Sequence, residues 1–408
     1  MIELDQLTKS FAQKDGTETR AVDAVSLTVP RGEICVFLGP SGCGKTTTLK
    51  MINRLIEPTS GTVRIEGEDT RGLDGVALRR KIGYVIQQIG LFPNMTIEEN
   101  IMVVPRLLGW DKRQCRERAR ELMAMVQLDP NRLLTRYPRE LSGGQQQRIG
   151  VIRALAADAP LLLMDEPFGA VDPINRESIQ NEFLQMQRQL GKTVIMVSHD
   201  IDEAIKLADK VAVFRRGKLV QFDHPDALLA HPADEFVQAF VGHDNTLKRL
   251  LLVRAGDAAT MPPSCRPGMP LAEALAVMDD ADVRHLPVVD DAQVALGYVT
   301  RRDARSGQGQ CSDVMRPFAV TAAFDEHLRI VLSRMYQHNT SWLPVMGADG
   351  AYLGEVTQES IAGYLSSGRS RGQAGVLAAS ASTPLGLPLA AAAQPAGGGT
   401  WPGARAGV

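Results

Sequence analysis

The stretch EICVFLGPSGCGKTTTLKMINRL (Glu33–Leu55) decides the fold of this chain. Its apolar run, Glu33–Leu38, predicts a buried strand, and the residues after the glycine-rich turn have the spacing of a helix. The turn itself, Gly39–Thr46, fits G-x-x-x-x-G-K-[ST], in which backbone N–H groups converge on phosphate oxygens at a helix N-terminus. The alternative, a glycine-rich turn with a solvated lysine, is disfavoured because the strand and the helix are both in place.

The turn supplies the candidate nucleotide-binding residues. Lys45 would neutralise the β- and γ-phosphates, and the Thr46 hydroxyl would ligate Mg²⁺. The remaining candidates in the turn are Gly39, Pro40, Ser41, Gly42, Cys43, Gly44 and Thr47. Cys43 allows two interpretations, a redox-sensitive thiol near Lys45 or a small residue tolerated in the loop, and we favour the second.

A second apolar run, LLLMDEP (Leu161–Pro167), predicts a strand that ends in two acids. Asp165 at the strand end would hold Mg²⁺, and Glu166 would polarise the attacking water, a role worth roughly 10²–10⁴-fold in rate. Thr193–Ser198 predicts a further buried strand, and Asp111–Leu128 has the spacing of a helix in an inserted helical lobe. Together these runs predict an α/β domain with a parallel sheet.

Two further segments flank the strand of Leu161–Pro167: LSGGQQQR (Leu141–Arg148) and SHD (Ser198–Asp200). With the phosphate loop they resemble the ATP-binding cassette ATPases over about Ile2–Gly242. The resemblance implies that the LSGGQ segment of one subunit caps the γ-phosphate of ATP bound to a second copy. The residues of this cap are Ser142, Gly143, Gly144 and Gln145. Two glycines at a helix start can form such an anion site.

The same resemblance assigns four more residues. His199 would contact the γ-phosphate, although a histidine after an apolar strand can also be structural. Asp172 lies in the loop expected to cross the dimer interface. Gln87 would touch Mg²⁺ and water and relay to a transmembrane partner. Phe11 occupies the position of the aromatic ring that stacks on adenine, where tyrosine is commoner, and core packing is its alternative.

Bulk composition excludes several other classes of protein. The chain has 408 residues, is 44% hydrophobic and 23% charged, and carries a net charge of −2, which gives no support for nucleic-acid binding. Its five cysteines are scattered without a CxxC pair, which argues for a reducing compartment. Neither a signal-peptide pattern nor a run of ~20 apolar residues is present. These features predict a cytosolic protein. The resemblance to the cassette ATPases further implies a peripheral position on the cytoplasmic face of the inner (plasma) membrane, with another chain in the membrane.

Near the end of the chain one unit occurs twice, as RHLPVVDDAQVALGYVT (Arg284–Thr300) and SWLPVMGADGAYLGEVT (Ser341–Thr357), 57 residues apart. Helical spacing precedes each copy, at Leu271–Met278 and Leu328–Met335. The copies resemble tandem CBS modules, which bind adenosine-type ligands in the cleft between them. Thr300 and Asp303 have the T-x-x-D spacing that contacts phosphate and ribose, whereas the second copy has Ser360 in place of the aspartate. We expect one conventional nucleotide site; a dimerising pair without a ligand is the alternative.

These patterns predict a cassette domain over 1–245, CBS modules over 254–308 and 309–366, and a low-complexity disordered tail over 367–408. The sequence allows two candidate ligands for the CBS pair. One is an adenine (di)nucleotide such as cyclic di-AMP. The other is an anionic lipid surface, for which Arg301, Arg302 and Arg305 offer a small cationic patch on a mildly acidic module.

Within the family of cassette ATPases, this chain resembles those of importers for quaternary-amine osmoprotectants (glycine betaine, choline, carnitine, proline). The resemblance rests on three segments: Gly39–Gly61, Arg79–Ile101 and Asp165–Arg176. The resemblance implies a homodimer that uses ATP and Mg²⁺, docks on separate permease subunits and serves an extracytoplasmic binding protein indirectly. An importer for another small solute is the alternative. A soluble cassette ATPase acting on ribosomes or DNA is disfavoured, because such proteins usually carry two cassettes and a basic linker. An inactive nucleotide sensor is also disfavoured, because the predicted catalytic residues are all present.

Overall fold

The computed structural model of the protein describes residues 1–14, 16–87, 90–169, 171–242, 244–305 and 307–367. The low-complexity tail predicted from residue 367 lies, from residue 368 onward, outside the described residues.

The first half of the chain contains two sheets. Its strands are β1 (Ile2–Ala12), β2 (Glu18–Val29), β3 (Ile34–Leu38), β4 (Ser60–Ile65), β5 (Glu68–Asp69), β6 (Ile82–Val85), β7 (Leu161–Asp165), β8 (Thr193–Ser198), β9 (Lys210–Arg215) and β10 (Lys218–Asp223). One sheet has four strands in the order β2-β1-β4-β5 and is antiparallel. The other has six, in the order β10-β9-β3-β8-β7-β6, and all its neighbours except β10 and β9 pair in parallel.

The helices of this half are α1 (Lys45–Ile52), α2 (Gly75–Arg80), α3 (Ile97–Leu107), α4 (Lys112–Met125), α5 (Pro130–Leu133), α6 (Gly143–Leu155), α7 (Pro173–Leu190), α8 (Ile201–Leu207), α9 (Pro225–Ala230) and α10 (Glu235–Val241). Helices α3 to α6 lie between β6 and β7 in the chain and form the inserted lobe that the sequence predicted. The predicted parallel α/β domain is confirmed.

The six-stranded sheet is covered on both faces, which explains the continuous apolar runs of its central strands. Val36, Leu162 and Val194 belong to a core that includes side chains of the helical lobe. Their neighbours in the strands, Phe37 and Leu163 among them, belong to a second core shared with β1, β2 and α1. Because β3, β7 and β8 are adjacent and parallel, their carboxyl ends meet at one edge of the sheet. Every catalytic candidate except Gln87 follows one of these three strands.

A linker helix, α11 (Asn245–Arg249), leads into the repeated units. Their helices are α12 (Ala255–Ala258), α13 (Leu271–Asp280), α14 (Arg301–Ala304), α15 (Cys311–Val314), α16 (Leu328–Gln337) and α17 (Gln358–Ser366). Their strands are β11 (His285–Val289), β12 (Ala295–Thr300), β13 (Ala322–Ala323), β14 (Trp342–Met346) and β15 (Tyr352–Thr357). Each unit has its own apolar core. The two predicted helices, α13 and α16, are each two residues longer than their sequence spacing indicated.

Residues that occupy equivalent positions in the two copies meet between them. His285 and Trp342 begin β11 and β14, and their rings stack with centroids 3.7 Å apart. Tyr298 and Glu355 are likewise equivalent; Tyr298 packs edge-on against Trp342, and Glu355 Oε2 lies 2.7 Å from His285 Nε2. The two copies therefore pack face to face around a local two-fold relation, as a tandem pair.

Among the described residues, every helix is too short or too polar to cross a membrane.

Candidate functional site

The loop between β3 and α1 has a backbone that needs glycine at two positions. Gly39 has a φ of 146°, and a Cβ there would collide with the carbonyl oxygen of Phe214. Gly44 caps α1 with a φ of 105°, and its Cβ would lie 2.5 Å from the Ala21 carbonyl oxygen. This geometry directs the first N–H groups of α1 toward the loop, where a phosphate would bind.

Lys45 is buried at the start of α1, and its ammonium binds to the loop itself. Its Nζ donates to the carbonyl oxygens of Gly39 at 2.6 Å and Pro40 at 2.9 Å. Cys43 Sγ lies 3.8 Å from the same ammonium. Charged phosphate oxygens are stronger acceptors than carbonyls, so these contacts place the cation where it can exchange one partner for a phosphate.

Burial raises the pKa of the Cys43 thiol, although the ammonium of Lys45 acts in the opposite direction. A thiol with a raised pKa stays protonated near neutral pH and reacts slowly. This favours the interpretation of Cys43 as a small loop residue over a redox-sensitive one.

Thr46 and Asp165 come together at the sheet edge. The Thr46 hydroxyl donates to Asp165 Oδ1 at 2.9 Å, and the carboxylate is buried at the end of β7. Burial raises the pKa of Asp165, and the Thr46 hydrogen bond partly opposes that shift. Hydroxyl and carboxylate oxygens are the hard donors that Mg²⁺ prefers, and a bound dication would offset the cost of the buried charge. The residues present therefore fit a magnesium ion.

Glu166 contacts the other two catalytic candidates, Gln87 and His199. Its carboxylate accepts from Gln87 Nε2 at 3.0 Å, and its Oε1 lies 3.5 Å from His199 Nδ1. Its backbone is left-handed, with a φ of 47°, and its N–H donates to the Val197 carbonyl oxygen across from β7 to β8. A non-glycine residue held in this region stores backbone strain, which is typical of functional sites.

Other predicted residues lie on three separate elements. Ser142 caps α6 and exchanges hydrogen bonds with Gln145, and Asp172 caps α7 by accepting from the backbone N–H and side-chain amide of Asn175. Phe11, near the end of β1, is 42% exposed, with the Lys9 ammonium 5.1 Å from its ring centroid. The exposed ring rules out core packing as the role of Phe11.

Glycine at 143 is not required by the fold of a single chain. A Cβ at Gly143 would meet no described atom within 4 Å, and one at Gly144 would touch Ile179 at an ordinary 3.4 Å. Both positions have negative φ, so neither needs glycine for its backbone conformation. The start of α6 is therefore open to close approach from outside.

In the first CBS-like copy, the T-x-x-D pair caps a helix. The Thr300 hydroxyl donates to Asp303 Oδ2 at 2.6 Å, and Arg316 contacts Asp303 Oδ1 at 2.6 Å. Burial acts to raise the pKa of Asp303, but the hydrogen bonds from Arg316 and Thr300 outweigh it and lower that pKa. Thr357 and Ser360 form the same cap in the second copy. The spacing thus has a local structural role in both copies.

Sequence reasoning missed some partners of these sites. Nothing in the sequence marks Arg316 as the partner of Asp303. Glu203 is buried on α8, accepts from Gln180 Nε2 at 3.1 Å, and has a pKa raised by burial. Glu203 follows Asp200 by three residues and lies on the inward face of α8. This helical spacing was the sequence signal that could have predicted its burial. Arg301, proposed for a cationic patch, lies 3.4 Å from Asp279 and 3.7 Å from Asp282, which offset its charge.

Comparison with known proteins gives matches over both parts of the chain. A family model described as ABC transporter matches residues 22–169, and one described as CBS domain matches 255–307 and 311–367. The osmoprotectant import ATP-binding protein OsmV of Salmonella typhimurium is 64% identical, over 91% of this chain and 98% of the relative. The glycine betaine/carnitine/choline transport ATP-binding protein OpuCA of Bacillus subtilis is 46% identical, over 88% and 95%.

A solved structure extends the comparison. The dimeric, post-hydrolysis ATP-binding cassette MJ0796 bound to ADP and Pi has a TM-score of 0.50 and 34% sequence identity. The alignment covers 55% of this chain and 99% of that one.

Proposed function

Because this chain belongs to the ABC transporter ATPases, among the ATP-binding subunits of osmoprotectant importers, we propose that it hydrolyses ATP at the edge formed by β3, β7 and β8. ATP binding is a property of this family, in which ATP hydrolysis is coupled to import. What we propose is the assignment of roles to residues, the metal, the arrangement of subunits and the solute. The observation that carries the assignment is the cluster of Glu166, Gln87 and His199 beside the phosphate loop.

The phosphate loop would hold the nucleotide and Mg²⁺ together. Lys45 and the N–H groups around Gly42 and Gly44 would bind the β- and γ-phosphates, and the hydroxyl of Thr46, with Asp165, would hold Mg²⁺. Gln87 is a third candidate ligand. When bound, Mg²⁺ supplies positive charge that neutralises the phosphates. Phe11, exposed near the end of β1, offers a ring for the adenine.

Glu166 would act as the general base. Its carboxylate oxygen takes a proton from water as that water attacks the γ-phosphate, and the phosphorus–oxygen bond to ADP breaks. The Gln87 amide donates to one carboxylate oxygen and His199 lies beside the other, so the side chain is oriented before the water binds. This orientation reduces the reorganisation that proton transfer would otherwise require.

Two copies of the chain would complete each ATP site. The start of α6, with Ser142 as its cap and open space at Gly143, suits a γ-phosphate presented by the second copy. Asp172, at the start of α7, would lie in the contact between copies. The cassette MJ0796 is itself dimeric, which supports this arrangement.

The importer's membrane part would bind on the segment that follows β6. Phe92 and Met95 are exposed there, next to α3, and exposed apolar side chains of this kind suit a protein partner. The chain would thus sit on the cytoplasmic face of the inner membrane, bound to permease subunits, and an extracytoplasmic binding protein would deliver the solute to the permease. The solute would be a quaternary amine, because the relative OpuCA is a glycine betaine/carnitine/choline transport ATP-binding protein. An importer for another small solute is the second candidate.

The tandem CBS pair, proposed over 254–308 and 309–366, would regulate this motor. An adenine (di)nucleotide at Thr300 and Asp303 would have to replace the Arg316 contact or add to it. An anionic lipid surface would have to attract Arg302 and Arg305 without much help from Arg301.

Uptake measurements test the choice of solute. Cells lacking this subunit would be complemented with the wild-type chain or with Glu166→Gln, and given labelled glycine betaine, choline, carnitine or proline at low and high osmolarity. We expect wild type alone to restore uptake of at least one of the first three. Restoration of none of the first three, whether or not proline is taken up, would remove the quaternary-amine assignment and leave the ATPase assignment in place.

A further inference from the structure

A buried ion pair joins the cassette to the CBS pair. Arg249, the last residue of α11, places Nε 2.7 Å from Asp226 Oδ1 in α9, and the two side chains are 3% and 4% exposed. The same guanidinium donates through Nη1 to the carbonyl oxygen of Leu365 at 2.8 Å. Leu365 lies in the last turn of α17, the final helix of the second CBS copy. One side chain therefore contacts both parts of the chain.

The guanidinium also packs against a ring. Its carbon lies 5.9 Å from the centroid of Tyr364, the residue before Leu365. Arginine presents several donors in one rigid plane, so it can bind a carboxylate and a carbonyl at once in fixed directions. A lysine ammonium keeps the charge but cannot reproduce this planar fork. The contact is thus specific in geometry as well as in charge.

The linker around Arg249 is attached to both sides by further bonds. The N–H groups of Leu328 and Arg329, at the start of α16, donate to the carbonyl oxygens of Val253 and Leu250. On the cassette side, the Asn245 side chain donates to the Leu229 carbonyl oxygen in α9 at 3.2 Å. The linker is therefore held as a fixed connection along its length.

The linker also reaches the helix that follows the candidate γ-phosphate histidine. Lys248 Nζ lies 3.6 Å from Asp202 Oδ1 in α8. Asp200, next to His199, caps α8 by accepting from the N–H groups of Asp202 and Glu203. His199 therefore directly precedes the cap of α8, and the linker lies against that helix.

We propose that Arg249 is a positioning residue for the ATPase cycle: it couples the position of α9 in the cassette to that of α17 in the CBS pair, and its neighbour Lys248 extends the contact to α8. A ligand bound to the CBS pair changes the ATP affinity of the cassette through this side chain. Nucleotide binding changes the affinity of the CBS pair for that ligand by the same factor, since coupling between sites is reciprocal. The inference rests on the proposed function, because it takes ATP as the ligand of the cassette.

Hydrogen–deuterium exchange of the full chain tests the coupling. The chain is labelled with and without the non-hydrolysable analogue AMP-PNP and Mg²⁺, and peptides from 39–52 and 358–366 are followed by mass spectrometry. In the wild type we expect slower exchange in both peptides, by roughly fivefold in 358–366, the low end of ordinary coupling between sites. In Arg249→Lys and Asp226→Asn the effect on 358–366 is lost, while that on 39–52 is unchanged.

Two further variants complete the design. Arg249→Met removes both contacts and should also lose the effect; if it does not fold, the lysine and asparagine variants decide the outcome. Arg113→Met is the matched control, because the Arg113 side chain is 86% exposed and, among the described residues, pairs at the surface with Glu117. It should respond as the wild type does.

Each result has a distinct meaning. An unresponsive 358–366 in the wild type, or a response that survives in Arg249→Lys and Asp226→Asn, overturns the role of Arg249. An unresponsive 39–52 in the wild type overturns the ATP site itself, and the inference that rests on it.

Discussion

Replacing Glu166 by glutamine separates catalysis from binding. The glutamine oxygen can still accept from Gln87 Nε2, which now lies 3.0 Å from Glu166 Oε2, so the packing at the end of β7 should persist. What the variant loses is the basicity of the carboxylate. A general base contributes roughly 10²–10⁴-fold in rate, and each tenfold is about 1.36 kcal/mol, so the barrier should rise by about 2.7–5.4 kcal/mol.

The stability of the fold should hardly change. Glu166 is partly exposed, and a near-isosteric substitution at such a position usually alters the free energy of unfolding by less than about 0.5 kcal/mol. ATP affinity should stay near that of the wild type, because the contacts to the phosphates come from the loop after β3. The expected rise in the activation barrier therefore exceeds the expected change in the free energy of unfolding by several kcal/mol.

The assay is phosphate release by the full chain at saturating ATP and Mg²⁺, with ATP binding measured separately by equilibrium dialysis. Glu177→Gln is the matched control, since Glu177 is 80% exposed on α7 and should leave both quantities unchanged. A turnover number for Glu166→Gln within about threefold of wild type would refute the assignment of the base. Equal losses of ATP binding and turnover would refute the proposed separation of roles.

Four other substitutions follow from the geometry. Gly44→Ala places a Cβ 2.5 Å from a carbonyl oxygen at positive φ and should destabilise the cassette by about 1–3 kcal/mol in urea unfolding, whereas Gly143→Ala meets no described atom. Gly143→Ala should leave stability unchanged and lower ATPase activity only where two copies associate; unchanged activity counts against the shared site. Asp303→Asn should cost about 1 kcal/mol at neutral pH. The lowered pKa of this folded carboxyl means that its contribution is present above the unfolded pKa of about 3.9 and is lost as pH falls through the folded value, so urea titrations of the two proteins should converge in acid. His285→Ala removes the ring stacked on Trp342 and should shift the indole emission to longer wavelength; unchanged emission would contradict the packing between the two copies.

Sequence patterns predicted the cassette elements whose structure depends on local features, such as strands buried on both faces and the glycine-rich loop. The strands at Leu161–Asp165 and Thr193–Ser198 are buried along their whole length because both faces of the sheet are covered, and this accounts for their mostly apolar runs. The loop before α1 was predicted from its glycines, whose positive φ values leave few alternatives. Local spacing and sterics were sufficient in these cases.

Long-range contacts could not be predicted in the same way. The 57-residue repeat identified His285 and Trp342 as equivalent residues, but nothing in it says that equivalent residues meet. Nothing in the sequence around Arg249 or Asp226 indicates that the two side chains meet, and their burial depends on how α9, α11 and α17 pack. The left-handed backbone of Glu166, whose N–H bonds to Val197 on the neighbouring strand, has no local sequence signal.

Coupled turnover in proteoliposomes tests the central claim most directly. The chain would be reconstituted with its permease and binding protein, with ATP and Mg²⁺ on the side of the cassettes and labelled glycine betaine, choline or carnitine, each in turn, on the other. The account predicts that the wild type shows both phosphate release and solute accumulation, and that Glu166→Gln shows neither. Solute accumulation that proceeds with Glu166→Gln, or phosphate release by the wild type without accumulation of any quaternary amine, would contradict it.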